Sequence, residues 1–150
     1  MVQKSKEGEL YTTVKHFANL GDAIAVMGAV KKYYDVTRRK VMFCQTVNQE
    51  ASYYPGAVHP TVDERGINVC VNQRGFDMIK PLFEAQEYIH SFVPYSGQKI
   101  DLDFDVIRGK TDVALPNGLI QAGLFTLILI WLLILASLGL KYLIKHQHIS

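Results

Sequence analysis

The pattern of apolar and polar positions divides the chain into segments typical of strands and helices. Residues 11–17 are rich in β-branched and aromatic side chains, which favours a strand. A turn follows at Asn19-Leu20-Gly21-Asp22, and apolar side chains then recur at the three- and four-residue spacing of an amphipathic helix: Ala23, Val26, Met27, Val30 and Tyr34. A strand, a glycine turn and a helix form the first half of a βαβ unit. The turn is therefore expected at the carboxyl edge of a parallel sheet, where such folds carry their sites.

Further strand-like segments follow this unit. Residues 40–47 and 67–71 contain continuous apolar runs, which predict strands buried on both faces. Residues 89–93 form a fourth candidate strand, and residues 100–107 alternate apolar and acidic side chains, as an edge strand with one solvated face does. A helix is predicted over residues 78–88, with Pro81 in its first turn, where a missing amide costs little.

Strands that alternate with helices predict an α/β fold, a Rossmann-like doubly wound parallel sheet, over residues 11–115. Residues 1–10 are polar and are expected to be a flexible N-terminus. Residues 48–66 are punctuated by proline and glycine and contain Tyr53, Tyr54 and His59. This long connection is read either as a functional loop or as a surface excursion that covers the sheet edge.

The C-terminal part has a different composition. Residues 122–140 contain no charged side chain, and leucine and isoleucine dominate, so a membrane-spanning helix with a basic flank is predicted over residues 119–145. The apolar character on all sides argues against a buried amphipathic helix. This predicts a single-pass protein that contacts the lipid bilayer through residues 119–140.

Two observations bear on the orientation in the membrane. Lys141 and Lys145 favour a cytoplasmic C-terminus. The N-terminus lacks the apolar core of a secretory signal, and this together with the cysteine usage favours a cytoplasmic N-domain, which is the orientation we expect.

Charge and cysteine content exclude some classes of function. The 16 basic and 14 acidic residues give a net charge of +2 and are scattered, so no nucleic-acid partner is expected. Cys44 and Cys70 lie far apart in strand-like segments and are expected to be free buried thiols of a reducing compartment. A disulfide would require those segments to be neighbours in a suitable geometry.

The candidate chemistry centres on Asp22. At the start of a helix an aspartate is commonly an N-cap, but at the carboxyl edge of a sheet it is also a candidate catalytic carboxylate, and the two roles are compatible. No metal site is predicted. Asp101, Asp103 and Asp105 alternate along one segment and suggest a solvated acidic edge more than a cation site. Arg108 follows them as a partner for a carboxylate or for a phosphate.

The segment FANLGDAIAVMGAVKKYY resembles the N-terminal signature of the heptosyltransferase-like glycosyltransferases, glycosyltransferase family nine. The later segment KPLFEAQEYIHSFVPYSGQKIDLDFDVIR is similar to a second segment of that family, and the resemblance covers about residues 11–110. It implies the N-terminal, acceptor-binding half of a GT-B fold. It further implies that Asp22 is the general base, with Asn19, Gly21 and Arg108 as substrate-binding residues and a sugar or glycan as acceptor.

The chain departs from that family after about residue 121, where the second Rossmann domain is replaced by the hydrophobic segment. The nucleotide-sugar donor of the full-length family therefore has no binding domain in this chain, and no cofactor is expected in it. Either a partner chain supplies the donor-binding domain, or the product is truncated or frame-shifted and inactive alone. The alternative is a non-enzymatic, tail-anchored α/β module that binds a partner at a membrane.

Overall fold

The computed structural model describes residues 3–4, 10–51 and 61–105. The predicted segments at 52–60 and 106–150, including the whole apolar segment 119–145, lie outside this part of the chain. The elements in chain order are β1 (Gln3–Lys4), β2 (Leu10–His16), α1 (Leu20–Thr37), β3 (Lys40–Gln45), α2 (Gln73–Glu84), β4 (Ile89–Pro94) and β5 (Leu102–Asp103).

The strands form one sheet in which β2, β3, β4 and β5 are parallel, in the order β5-β2-β3-β4. The short strand β1 pairs antiparallel with the first part of β2, so residues 3–4 are paired in the sheet. A parallel sheet with two helices confirms the predicted α/β class. In the described ranges, no helix is long and apolar enough to cross a membrane.

Both helices pack on the same face of the sheet, so the described elements do not form the predicted doubly wound arrangement, which has helices on both faces. Val14, Phe43 and Phe92 lie side by side in the register of β2, β3 and β4, and all three are fully buried in the core with residues of α1 and α2. The ring of Phe43 contacts the ring of Phe83 from α2 at a centroid distance of 5.2 Å. Side chains alternate between the faces of a strand, so the neighbouring register row points to the opposite face: Thr13, Met42 and Ser91.

Helix α1 agrees with the predicted period, with one shift along its buried face. Ala23, Val26 and Val30 are buried as expected, but Tyr33 rather than Tyr34 is buried at the C-terminal end. The Tyr33 hydroxyl lies 2.6 Å from the Thr12 hydroxyl of β2, so this tyrosine has a polar partner inside the core. The helix ends at Arg38, which adopts the left-handed conformation (φ 57°) and donates its N–H to the Tyr34 carbonyl.

The predicted strand over residues 67–71 is wrong. Residues 67–71 do not join the sheet: they make isolated bridges, and their backbone groups bond within the excursion that contains them, as in Asp63 N–H to Ile67 O at 2.9 Å. The place beside β3 is taken by β4. An apolar run this short does not distinguish a sheet strand from a segment that covers the core, and Val71 takes the second role.

Helix α2 begins earlier than predicted, because Asn72 caps it and residues 73–77 continue the helix into the predicted 78–88 segment. Pro81 therefore lies in the last turn rather than in the first. Leu82, an apolar position of the predicted helix, is exposed, as is Met78.

Candidate functional site

The first candidate site is the carboxyl edge of the sheet, where β2 ends and α1 begins. The order β5-β2-β3-β4 means that successive parallel strands are added on one side of β2 until β4, and that β5 is then added on the other side. The strand order thus reverses between β2 and β5. In open α/β sheets, ligands bind in the crevice outside the carboxyl ends of the strands at such a point.

The start of α1 is capped by Asn19, not by Asp22. Asn19 is extended (φ −65°, ψ 169°), and its Oδ1 accepts the backbone N–H of Asp22 at 3.0 Å. The cap interpretation of Asp22 is therefore wrong. Asp22 lies in the first helical turn with a half-exposed side chain, where the helix dipole favours a carboxylate.

Gly21 makes room for this cap. A Cβ atom at this position would lie 3.3 Å from Asn19 Oδ1, which is tighter than an ordinary contact. The role of Gly21 in the structure is thus close packing against the capping amide, with no positive φ. Asn19 and Gly21 shape the turn that presents Asp22.

Two buried side chains, the amide of Gln45 and the imidazole of His16, support this turn, and neither was identified from the sequence. The side-chain Nε2 of Gln45 donates to the carbonyls of Ala18 (3.0 Å) and Thr46 (3.1 Å), and its Oε1 lies 2.9 Å from His16 Nδ1. With the amide nitrogen used by two carbonyls, Oε1 is the acceptor, so His16 Nδ1 carries the proton. The only signal in the sequence is the pair of polar residues at the ends of apolar strands.

The acidic row after β4, which consists of Asp101, Asp103 and Asp105, contacts β2 along its edge. Asp101 Oδ2 accepts the Thr13 N–H and Asp105 Oδ1 accepts the Phe17 N–H, both at 2.9 Å. These two carboxylates therefore satisfy backbone donors that β5, only two residues long, leaves beside it.

Lys15 pairs with the same row, at 3.1 Å from Asp105 and 3.9 Å from Asp103. Burial raises the pKa of Asp105 above its ordinary value, against the opposing effects of Lys15 and of the Phe17 amide. Burial acts to lower the pKa of Lys15, but its hydrogen bond and its attraction to Asp105 outweigh this and raise that pKa. Within the described ranges, no group of three or more histidine, cysteine or acidic side chains is arranged to hold a metal ion.

A cleft of about 680 Å³ lies beside the same turn, between the starts of the two helices. Its polar side chains come from the two capping residues, from the excursion between β3 and α2, and from the first turn of α2; the lining residues that matter here are Asn19, Gly21, Thr61, Asn72, Arg74 and Gly75. Predicted residues Asn19 and Gly21 are thus brought together here, while Asp22 is not among the lining residues. Arg108 lies outside the described residues.

The second helix start repeats the geometry of the first. Asn72 is extended, and its Oδ1 accepts the Gly75 N–H at 2.9 Å. A Cβ at Gly75 would lie 3.2 Å from Leu20 Cδ1, so the glycine allows the two helix starts to approach closely. Asn72 and Arg74 were missed because the helix was predicted to begin only at residue 78, after a turn at residues 72–75.

The two cysteines differ in environment. Cys44 is fully buried in β3, and burial raises the pKa of its thiol to about 11, whereas the half-buried Cys70 lines the cleft. Neither forms a disulfide, as expected, but Cys70 is only half-buried, whereas both thiols were expected to be buried.

Comparison with known proteins adds no family to this picture. No protein-family model, no curated protein and no solved structure matches the chain. The function is therefore argued from the site itself.

Proposed function

We propose that this chain is the acceptor-side, Rossmann-like domain of a GT-B glycosyltransferase and that Asp22 is its general base. One observation carries the proposal: a half-exposed carboxylate lies in the first turn of α1, at the sheet edge beside the point where the strand order reverses. This is where α/β folds bind ligands, and a carboxylate there is suited to accept the proton of a hydroxyl group.

In this proposal, the acceptor hydroxyl donates a hydrogen bond to Asp22. As the acceptor oxygen forms its bond to the anomeric carbon of the donor sugar, its proton passes to the Asp22 carboxylate. The bond from the anomeric carbon to the nucleoside diphosphate breaks, and the diphosphate leaves with the electron pair. Asn19 and Gly21 hold the turn in place, since their own groups are engaged in the helix cap.

In this scheme a domain other than residues 11–115 holds the donor, because the transfer requires the two substrates to be held side by side. The proposal therefore predicts that the chain binds a saccharide acceptor but no nucleotide-sugar. The first test is a glycan array probed with the full chain, together with calorimetry against ADP-, GDP- and UDP-sugars. Saccharide binding without nucleotide-sugar binding is expected; an array on which no saccharide binds would instead favour the non-enzymatic partner-binding module.

The second test addresses the role of Asp22. Asp22→Asn keeps the size of the side chain but loses the charge, and we expect it to weaken saccharide binding about tenfold, the loss of about 1.4 kcal/mol for a hydrogen bond to a charged group. If a donor-binding partner restores transfer, the same variant should reduce the rate by about 10²–10⁴-fold. Asp77→Asn, in an exposed carboxylate of α2, is the matched control and should change neither quantity. Equal binding and transfer in Asp22→Asn and the unaltered chain would rule out the assignment.

A further inference from the structure

The cleft between the two helix starts contains a cation with no acidic neighbour. Arg74 lines the cleft and is exposed, and none of the lining residues is acidic. Among the described residues, Arg74 makes no ion pair and no side-chain hydrogen bond.

Four other cations in the described ranges pair with carboxylates: Lys15 with Asp103 and Asp105, Lys31 with Asp35, Arg65 with Asp63, and Lys80 with Glu84. Arg74 instead lines a concave volume of about 680 Å³, large enough for a small polar molecule. A planar guanidinium offers paired donors that match the oxygens of a carboxylate or of a phosphate.

The polar surroundings of Arg74 suit the same kind of ligand. The amide side chains of Asn19 and Asn72 and the hydroxyl of Thr61 line the cleft together with it. The first intrahelical bonds are made by the N–H groups of Ala23 in α1 and Phe76 in α2, so both helix starts direct the positive ends of their dipoles toward this region. None of the lining residues is acidic, and the one carboxylate in the first turns of the two helices is Asp22 of α1.

We propose that this cleft binds the anionic group, a phosphate or a carboxylate, of a small polar molecule, with Arg74 as the principal contact. The inference does not require the chain to be a transferase, since Arg74 and the α2 side of the cleft have no part in the role proposed for Asp22. Inorganic phosphate, a sugar phosphate and a sugar acid share the chemistry that the cleft would recognise, and the probes below distinguish them.

The test is calorimetric titration of the full chain, at constant ionic strength, with inorganic phosphate, glucose 6-phosphate, glucuronate and glucose. We expect at least one of the three anions to bind and neutral glucose to bind at least tenfold more weakly. Arg74→Gln should weaken anion binding at least tenfold, and Arg74→Lys, which retains the charge but loses the planar fork, should fall between the two. The anion with the highest affinity identifies the source of the group.

Arg39→Gln is the matched control, because Arg39 is an exposed arginine beyond the other end of α1. It should bind as the unaltered chain does, and circular dichroism should show equal helix content in all variants. Absence of binding by every anion, equal affinity for glucose, or an equal loss in Arg39→Gln would overturn the proposal. The loss in Arg74→Gln tests this cleft and the loss in Asp22→Asn tests the transferase proposal, so failure here and failure of that proposal give different results.

Discussion

Gln45 is the residue on which the geometry of the candidate site depends most directly. It is fully buried, and its amide connects the ends of β2 and β3 through the carbonyls of Ala18 and Thr46 and the ring of His16. The hydrogen bonds to Ala18 and His16 are buried and that to Thr46 is partly buried. An unsatisfied buried polar group costs about 1–3 kcal/mol. Gln45 therefore fixes the turn from which Asn19 caps α1.

Gln45→Leu tests this. The substitution has nearly the same volume but leaves two carbonyls and one ring N–H without their partner, so we expect the free energy of unfolding to fall by about 2–4 kcal/mol. Urea denaturation followed by circular dichroism measures it. Gln49→Leu, at an exposed position after the same strand, is the control and should change stability by less than about 0.5 kcal/mol. Similar values for the two variants would show that the network contributes little.

The residues of the turn show how far sequence reasoning reached at this scale. Asn19, Gly21 and Asp22 were recognised as a unit because a glycine between a strand and a helix has few other uses. Asp22 was interpreted as the cap and Asn19 was not considered, although asparagine and aspartate are nearly equal as caps. The placement of Asn19 one residue before the first helical turn settles it in favour of Asn19.

At the scale of elements, β5 is a two-residue strand, and the carboxylates that flank it accept backbone N–H groups in place of further strand hydrogen bonds. Its two residues pair with Val14 and Lys15. The carboxylates on either side of it accept backbone N–H groups: Asp101 accepts that of Thr13, and Asp105 accepts that of Phe17, which directly follows β2. The alternation of acidic and apolar residues predicted an edge strand correctly. The shortness of the strand was not predictable, because a carboxylate that replaces a ladder hydrogen bond has the same sequence pattern as one that faces solvent.

The pairing of Lys15 with this row makes a pH-dependent prediction. Because the pKa of Asp105 is raised, the folded protein holds that proton more tightly than the unfolded chain. The contribution of Asp105 to stability is therefore complete below the unfolded pKa of about 4 and is lost as the pH rises toward the raised folded value. Lys15, whose pKa is also raised, contributes stability that is complete below about 10.5 and is lost above its folded pKa.

Lys15→Met should thus be more harmful at pH 7 than at pH 4. The variant leaves the mostly buried Asp105 without its cation, and we expect a loss of about 1 kcal/mol at pH 7, since the pair is partly solvated. At pH 4 a larger fraction of Asp105 is protonated and needs no cation, so the loss should shrink. Urea midpoints at the two pH values measure the difference. Lys31→Met, in an exposed pair on α1, is the control, and an equal loss for Lys15→Met at both pH values would contradict the role of the pair.

At the scale of the whole molecule, the sheet order decides where a site is expected. Both helices lie on one face, and β5 returns to the other side of β2, so the carboxyl end of β2 is next to the reversal. The alternation of strands and helices predicted the parallel sheet. The apolar run at residues 67–71 predicted a further strand. Only the pairing of β3 with β4 shows that no place in the sheet is left for that segment.

The apolar segment 119–140 makes a separate prediction for the whole chain. Its composition leads us to expect that the full chain stays in the membrane pellet on alkaline carbonate extraction. Replacing both Leu129 and Leu133 by lysine should release it, since a lysine near the centre of a spanning helix costs about 2.5–3.5 kcal/mol. The control carries lysine at Thr61 and Gln49 instead. An unaltered chain found in the soluble fraction would contradict the membrane prediction.

The sequence by itself determined the class of the fold, the period of α1, the strands β2, β3 and β4, and the change from strand to helix at residues 19–22, because these follow from local hydrophobic spacing and from the chemistry of caps and glycines. Tertiary structure decided the order of the strands, the buried bridge from Gln45 to His16, the use of Asp101 and Asp105 as backbone acceptors, and the meeting of two capped helix starts around Arg74. Each of these joins residues far apart in the chain, and no periodicity within a segment records which distant partner will satisfy a buried donor or complete a cleft.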